Sequence, residues 1–170
     1  PTENIVGVTG TKGKGTTSGL IYDILTTAGK RAFWGGNIGI PMFGFLDKLK
    51  AGDWVVLELS SFQLEDLAAS PKIAVITNLS PEHLAPADPR NPNYHKSLKE
   101  YWLAKLNIVK WQKPGCQAVL NVRLKQDLKK IKLASRDLGR GAKIYFSALD
   151  WPSRLPGEHN RENVAAAAAV

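Results

Sequence analysis

The sequence predicts an α/β fold, a mostly parallel sheet that carries helices on both of its faces. Short runs rich in Val, Ile and Leu alternate with amphipathic helical stretches along the 170 residues. The runs are apolar throughout, which is typical of parallel strands buried on both faces. The length suits one domain with a sizeable core, and a hydrophobic content of 44% indicates a globular chain. We therefore treat residues 1–170 as a single domain.

A glycine-rich loop joins the first predicted strand, Ile5–Val8, to the first predicted helix, Thr16–Ala28. Glycines let the backbone turn tightly and approach a polyanion, and the first N–H groups of a helix point toward it. A lysine in such a loop supplies charge for the outer phosphates, and a threonine hydroxyl reaches Mg²⁺. The fold is therefore predicted to be of the P-loop nucleotide-binding type. The candidate phosphate-binding residues are Gly10, Thr11, Lys12, Gly13, Lys14, Gly15, Thr16 and Thr17.

This loop departs from the strict P-loop pattern at two positions. Val8 stands where the first glycine of the pattern belongs, and Gly15 stands where a hydroxyl normally follows the lysine. The hydroxyl comes one residue later, at Thr16. An ordinary glycine-rich turn with a stray lysine is the alternative. Phosphate binding is favoured because the strand and the helix both lie where it requires them.

The remaining elements alternate in the same way after Gly29, which is predicted to end the first helix. The predicted strands are Arg31–Trp34, Trp54–Leu59, Ile73–Asn78, Ala118–Asn121 and Lys143–Phe146. The predicted helices are a short one that ends at Leu49, a long one over Tyr94–Trp111, one over Val122–Leu138 and a last one from about Asn160. This alternation predicts a parallel sheet with a helix after most strands.

Polar residues follow three further strands, namely Asn37, Glu58 and His83. Ligands of open α/β sheets bind beyond the carboxyl ends of the strands, so these residues are expected near the glycine-rich loop. Glu58 ends an otherwise apolar strand, and a carboxylate that faces phosphates is a suitable Mg²⁺ ligand. Taken singly, Glu58 is better explained by pairing with a lysine, and His83 by a structural role. Lys105 and Asn160 likewise have ordinary alternatives, a lysine that reaches the surface and a helix cap.

Composition and charge narrow the classes of function. No apolar run is long enough to cross a membrane, and the single cysteine, Cys116, excludes an internal disulfide. Residues 96–143 hold thirteen basic and three acidic side chains, a surplus of ten positive charges that exceeds the net charge of +8 of the whole chain. The lysines of Val122–Leu138 fall largely outside its apolar face, as on a solvated helix, and no nucleic-acid-binding motif accompanies them. A cytoplasmic protein without nucleic-acid or membrane partners is the prediction.

Six motifs in order resemble the ATP-binding central domain of the Mur ligases. They read GTKGKGTT, GGNIG, LELSSFQLE, NLSPEHL, YWLAKLNI and GEHNRENVAAA, and the resemblance covers residues 5–170. LELSSFQLE is most similar to the members that add D-glutamate. The resemblance implies that the chain is one domain of a longer, monomeric ligase. In that family the N-terminal domain binds the UDP group, and the C-terminal domain binds the amino acid and completes the ATP site.

The same resemblance implies ATP-dependent amide bond formation in the synthesis of peptidoglycan precursors. The carboxylate of UDP-MurNAc-L-alanine is activated as an acyl phosphate, and the amine of D-glutamate attacks it to give the amide, ADP and phosphate. The implied partners are ATP, these two substrates and magnesium. The 170-residue domain by itself is expected to fold but not to ligate, because the flanking domains supply the rest of the site.

Roles for single residues are also implied by the resemblance. The loop Gly10–Thr17 binds ATP, and Asn160 meets the adenine. The implied catalytic residues are Lys14, Glu58, His83 and Lys105. The implied magnesium ligands are Thr16, Glu58, His83 and Lys105, the last as a carbamate. The implied contacts to the muramoyl substrate are Asn37, Ser60 and His83.

Three other classes of protein stay open at this point. A folylpolyglutamate synthase-like ligase is favoured by the order Lys14, Gly15, Thr16 and disfavoured by LELSSFQLE. A P-loop kinase or ATPase needs only the first loop and leaves Lys105 unexplained. A non-catalytic module that binds nucleotides or nucleic acid is favoured only by the positive charge.

Overall fold

The fold is a six-stranded sheet in which every neighbouring pair of strands is parallel. The computed structural model describes residues 2–37, 40–41, 43–82, 84, 94–134, 137–149, 151 and 154–170. The strands are β1 Ile5–Thr9, β2 Ala32–Gly36, β3 Trp54–Glu58, β4 Ile73–Ile76, β5 Gln117–Asn121 and β6 Ala142–Phe146, in the order β2-β3-β1-β4-β5-β6. The helices are α1 Lys14–Thr27, α2 Ser61–Leu64, α3 Leu98–Lys110, α4 Leu124–Lys130 and α5 Glu158–Ala168. The predicted α/β class is therefore confirmed.

Helices cover both faces of this sheet, as predicted. On one face, Ala74 and Ile76 of β4 join a buried cluster with residues of α2, α3 and α4. On the other face, Ile73 and Val75 of the same strand join a cluster with Ile21 of α1 and the alanines of α5. Successive side chains of a strand point to opposite faces, so an unbroken apolar run feeds both cores.

The predicted helix over Val122–Leu138 is wrong in its second half, because α4 ends at Lys130. Lys132 adopts a positive φ of 59°. The N–H of Leu133 donates to Leu128 O over 2.9 Å, and the N–H of Lys132 donates to Lys129 O over 3.1 Å. This pair of bonds is a Schellman motif, which satisfies the last carbonyls and ends a helix. Leu138 reaches the core from beyond the helix.

Local hydrogen bonds account for the other differences. The predicted helix over Tyr94–Trp111 begins later, at Leu98, because the Ser97 side chain accepts a bond from the Glu100 N–H. The short helix expected to end at Leu49 is a single 3-10 turn, Leu46–Lys48. The one-turn helix α2 has no counterpart among the predicted elements, since a capping box rather than an apolar period defines it.

The basic side chains of α4 lie on its exposed face, as its amphipathic pattern predicts. Leu124 and Leu128 are buried, whereas Lys125 and Lys129 are exposed. Among the residues that the structure describes, no helix combines the length and the apolar character needed to span a bilayer.

Candidate functional site

The glycine-rich loop lies between β1 and α1 and bends at two glycines. Gly10 and Gly13 have φ values of 147° and 82°, which side chains rarely adopt. A Cβ on Gly10 would collide with Thr77 Oγ1, and a Cβ on Gly13 would collide with Asn163 Oδ1. Glycine is therefore required at both positions by the backbone angle and by the closeness of β4 and α5.

The end of β4 holds this loop by its backbone. The N–H of Thr11 donates to Asn78 O over 2.9 Å, and the N–H of Lys12 donates to Asn78 Oδ1 over 3.0 Å. Asn78 Nδ2 and Thr77 Oγ1 donate to Lys12 O, over 2.9 and 2.7 Å. Four bonds across neighbouring strands fix the loop before any ligand arrives, which lowers the ordering cost of binding.

We expect Gly10→Ala to lower the free energy of unfolding by about 3 kcal/mol, because it adds both backbone strain and a collision with the buried Thr77. Gly29→Ala is the matched control. Gly29 also has a positive φ, of 72°, but its Cβ would meet no atom of the described residues within 4 Å, so the expected loss is about 1 kcal/mol. Urea unfolding of both variants measures the difference, and equal losses would show that the loop accommodates a side chain at Gly10.

Lys14 is the first residue of α1, and its side chain folds back over the loop. Its Nζ donates to Thr11 O over 3.0 Å, and the residue is half-buried. The two candidate hydroxyls beyond it differ in their surroundings. Thr17 is fully buried and donates to Asn163 Oδ1 over 3.3 Å, whereas Thr16 is exposed. Thr16 is therefore the hydroxyl that a ligand at the loop could reach.

Glu58 ends β3 beside the loop and is 1% exposed. Its Oε1 accepts a bond of 3.3 Å from Asn37 Nδ2, while its Oε2 is buried without a hydrogen-bond partner among the described residues. Leaving a buried carboxylate oxygen unpaired is costly, so such an oxygen indicates a missing cation or donor. The chemistry of this group fits Mg²⁺, which prefers oxygen ligands.

Asn37 and Ser60 lie on either side of Glu58. The N–H of Asn37 donates to Glu58 O over 2.9 Å, because Gly36 of β2 is in register with Glu58 of β3. The Ser60 hydroxyl accepts a bond of 3.2 Å from the Gln63 N–H, and Gln63 Oε1 accepts one of 2.9 Å from the Ser60 N–H. Ser60 is thus the N-cap of α2 as well as a candidate substrate contact.

Lys105 projects from α3 into the same region and is 2% exposed. Its Nζ lies 4.8 Å from the centre of the Tyr101 ring. Burial, and after it the charge of Lys14, lowers the pKa of Lys105 to about 7, although Glu82 and Glu58 oppose the shift. The ordinary alternative, a lysine that reaches the surface, is wrong. Lys14, Glu58 and Lys105 therefore come together although they belong to different elements.

Two residues that link these elements are absent from the predicted set. The hydroxyls of Tyr101 and Thr11 lie 3.3 Å apart and join α3 to the loop. Asn163 of α5 is 5% exposed, accepts from Thr17 and donates to Asn160 Oδ1 over 3.1 Å. Asn160 and Asn163 lie inside α5, whose N-cap is Gly157, so the alternative that Asn160 caps this helix is wrong. The spacing of three between the asparagines was the available signal, because it places both on one face.

The predicted ligand His83 lies outside the described residues. Within the described ranges, no three His, Cys, Asp or Glu side chains form a metal-binding group. Of the predicted magnesium ligands, Glu58 and the exposed Thr16 are the described residues whose side chains carry oxygen atoms, the ligand type that Mg²⁺ prefers.

Comparisons with known proteins agree with the family that the sequence motifs indicate. The family model described as the Mur ligase middle domain matches residues 8–170. The chain belongs to the Mur ligase family. A curated relative, the UDP-N-acetylmuramoylalanine–D-glutamate ligase of Acetivibrio thermocellus, is 47% identical over 117 residues. Those residues are 69% of this Mur ligase domain and 23% of the relative, so the match covers less than a quarter of the relative's length.

Solved structures share the fold of this Mur ligase domain at low sequence identity. MurF from Acinetobacter baumannii has a TM-score of 0.68 and 19% identity, over 98% of this chain and 42% of that one. A bifunctional folylpolyglutamate synthase/dihydrofolate synthase from Yersinia pestis has a TM-score of 0.60 and 19% identity, over 98% of this chain and 52% of that one. At such identities the likeness establishes the fold alone.

Proposed function

We propose that the chain is the ATP-binding middle domain of a ligase that joins D-glutamate to UDP-MurNAc-L-alanine during peptidoglycan precursor synthesis. The observation that carries the proposal is the convergence of Lys14, Glu58 and Lys105 near one loop, where a buried carboxylate oxygen of Glu58 has no hydrogen-bond partner among the described residues. The 47% identity to relatives named for this reaction supports the choice of D-glutamate. A cytoplasmic, monomeric enzyme is part of the proposal.

The proposed reaction has two steps. An oxygen of the substrate carboxylate attacks the γ-phosphorus of ATP, the bond to the β-phosphate oxygen breaks, and ADP leaves. The amine of D-glutamate then attacks the acyl phosphate carbon, loses a proton, and expels phosphate to leave the amide. Both steps depend chiefly on positioning and on stabilising charge, because the triphosphate and the carboxylate repel one another.

The loop residues have the simplest part in this scheme. Gly10–Thr17 surround the phosphates with backbone N–H groups at the start of α1, and Lys14 exchanges its bond to Thr11 O for a phosphate oxygen. Thr16 and Glu58 would hold Mg²⁺, whose charge supplies neutralisation between the triphosphate and the carboxylate. Asn160 would contact the adenine.

Lys105 has a separate proposed role, as a carbamate. Its nitrogen would add to the carbon of CO₂ and lose a proton, which replaces a buried cation with a carboxylate-like anion. The burial of Lys105 beside Lys14 supports this step, because a neutral amine is the form that reacts. Such an anion would join Glu58 in holding magnesium, with Asn37, Ser60 and His83 on the side of the muramoyl substrate.

A folylpolyglutamate synthase-like ligase is the second candidate. The order Lys14, Gly15, Thr16 favours it, and solved structures of that class share the fold. The chemistry at the loop would be the same, with a folate carboxylate as the acceptor. The two candidates therefore differ in the acceptor and not in the ATP site.

The deciding experiment supplies ATP and magnesium to the full-length protein with each pair of substrates. We expect ADP release and an amide product with UDP-MurNAc-L-alanine and D-glutamate, and none with dihydropteroate or folate and L-glutamate. The 170-residue chain alone is expected to bind nucleotide weakly and to make no product, because the acceptor and the amine need further surfaces to reach near-attack distance. Mass spectrometry detects the product. Product from the folate substrates would establish the second candidate instead.

A further inference from the structure

A buried hydrogen bond joins α2 to the segment that precedes α3. His95 Nε2 and Ser61 Oγ lie 3.0 Å apart. His95 is 1% exposed and Ser61 is 2% exposed, so water does not compete for this bond. The imidazole also stacks on Phe62, with ring centres 4.7 Å apart and planes 4° apart. His95 therefore contacts two successive residues of α2, Ser61 through a hydrogen bond and Phe62 through ring stacking.

The same imidazole contacts α3 on its other side. The rings of His95 and Tyr101 lie 5.2 Å apart at an angle of 45°. The Tyr101 hydroxyl reaches Thr11 of the phosphate loop, and Lys105 follows Tyr101 by one helical turn. His95 thus contacts α2, which follows Glu58 closely in the chain, and Tyr101 of α3, whose hydroxyl reaches the phosphate loop.

The helix α2 needs such support because it is a single turn, Ser61–Leu64. A turn of this length is unstable by itself, since the cost of nucleation exceeds the gain from one backbone bond. Its capping box fixes its internal shape, and Leu59 is tied to β1 through Thr9 Oγ1 over 2.8 Å. Asn107 of α3 donates to Leu64 O over 3.0 Å and to Glu65 O over 2.8 Å, which ties the C-terminal end of α2 to α3. The bond to His95 ties the first residue of α2, Ser61, to the segment that precedes α3.

We propose that His95 is a positioning residue, which holds the segment Glu58–Ser61 against α3 and thereby sets where the Glu58 carboxylate stands for a cation. The inference rests on the proposed function, because it takes Glu58 as a magnesium ligand. An apolar side chain at position 95 would fill the space of the imidazole, but it would leave the buried Ser61 hydroxyl without its bond to His95. A buried polar bond of this kind specifies one arrangement of the packed elements.

The test is magnesium-dependent ATP binding by the full-length protein, measured by calorimetry with ATP as the probe and Mg²⁺ varied. His95→Phe retains a ring to stack on Phe62 and removes the hydrogen bond, and Ser61→Ala removes the partner. We expect each variant to raise the Mg²⁺ concentration for half-maximal binding about fivefold, the factor set by one lost hydrogen bond. The double variant should raise this Mg²⁺ concentration no more than either single variant does, because both substitutions remove the same hydrogen bond. His95→Gln keeps a hydrogen-bonding group, so its Mg²⁺ concentration for half-maximal binding should be closer to that of the wild type.

ATP binding in EDTA is the control, and it should be unchanged in every variant. An unchanged magnesium requirement in Ser61→Ala, the milder substitution, would overturn the inference even if His95→Phe failed to fold. Equal losses with and without magnesium would also overturn it, because they would indicate a general structural role. A wild-type protein that bound no ATP with magnesium would instead overturn the proposed function, on which the inference rests.

Discussion

Lys105→Ala in the full-length protein is expected to reduce ligation by about 100-fold or more, the largest effect predicted for any single side chain here. Lys105 is almost fully buried within the electrostatic reach of Lys14, Glu82 and Glu58. A carbamate at this position would provide a second anionic ligand beside Glu58, and alanine supplies none. Added bicarbonate should not restore the variant, because it lacks the amine that CO₂ modifies.

Lys99→Ala is the matched control, since Lys99 is an exposed lysine on the same helix. Its rate should stay close to that of the wild type. Isotope-labelled bicarbonate gives a second readout, a carbamate carbon signal in the wild-type protein that Lys105→Ala lacks. Full activity in Lys105→Ala would refute the role of this residue, and activity without the carbamate signal would refute the modification while leaving a role for the lysine.

Lys14→Ala is expected to weaken nucleotide binding more than tenfold, which corresponds to about 1.4 kcal/mol. Its ammonium group lies over the loop and bonds to Thr11 O, so it is already held where it could donate to a phosphate oxygen bound at the loop. Charge-assisted bonds to phosphate are stronger than neutral ones, and the neutral variant retains only the backbone N–H groups. The loss should be larger for ATP than for adenosine, because adenosine carries no phosphates.

Lys30→Ala serves as the control for a change of one positive charge, because Lys30 is exposed beyond the far end of α1. Titration calorimetry of ATP and adenosine against both variants measures the effect. Superimposable ATP titrations for Lys14→Ala and the wild type would contradict the assignment of the loop as the phosphate site.

The sheet and the phosphate loop follow from local features of the sequence. Most strands are runs of apolar residues whose side chains are buried on both faces of the sheet. Their positions can therefore be predicted from the local sequence, without knowing which strands lie next to them. Gly10, Gly13 and Lys14 form a loop pattern that indicates phosphate binding when a strand precedes it and a helix follows it. Both of these elements are adjacent in the sequence and can be predicted from it. Glu58 was identifiable because it interrupts an apolar strand at the end where ligands of parallel sheets bind.

The ends of helices were harder to predict from the sequence than the strands, because each end depends on one or two capping hydrogen bonds. A positive φ at Lys132 ends α4 eight residues before the predicted end at Leu138, and a lysine is an unusual residue for that conformation. The one-turn helix α2 depends on Ser60 and Gln63 rather than on an apolar period. Propensity and periodicity average over several residues and therefore miss such points.

The sequence by itself accounts for the fold class, the strand order along the chain and the glycine-rich loop, since each depends on neighbouring residues. The tertiary structure alone decides which hydroxyl of α1 is open, because Thr17 is buried by Asn163, 146 positions away. It also decides that His95 and Ser61 form a buried pair and that the charge of Lys14 acts on Lys105. These contacts join residues that are far apart in the sequence, so they depend on how the intervening helices and strands pack together and not on any local pattern.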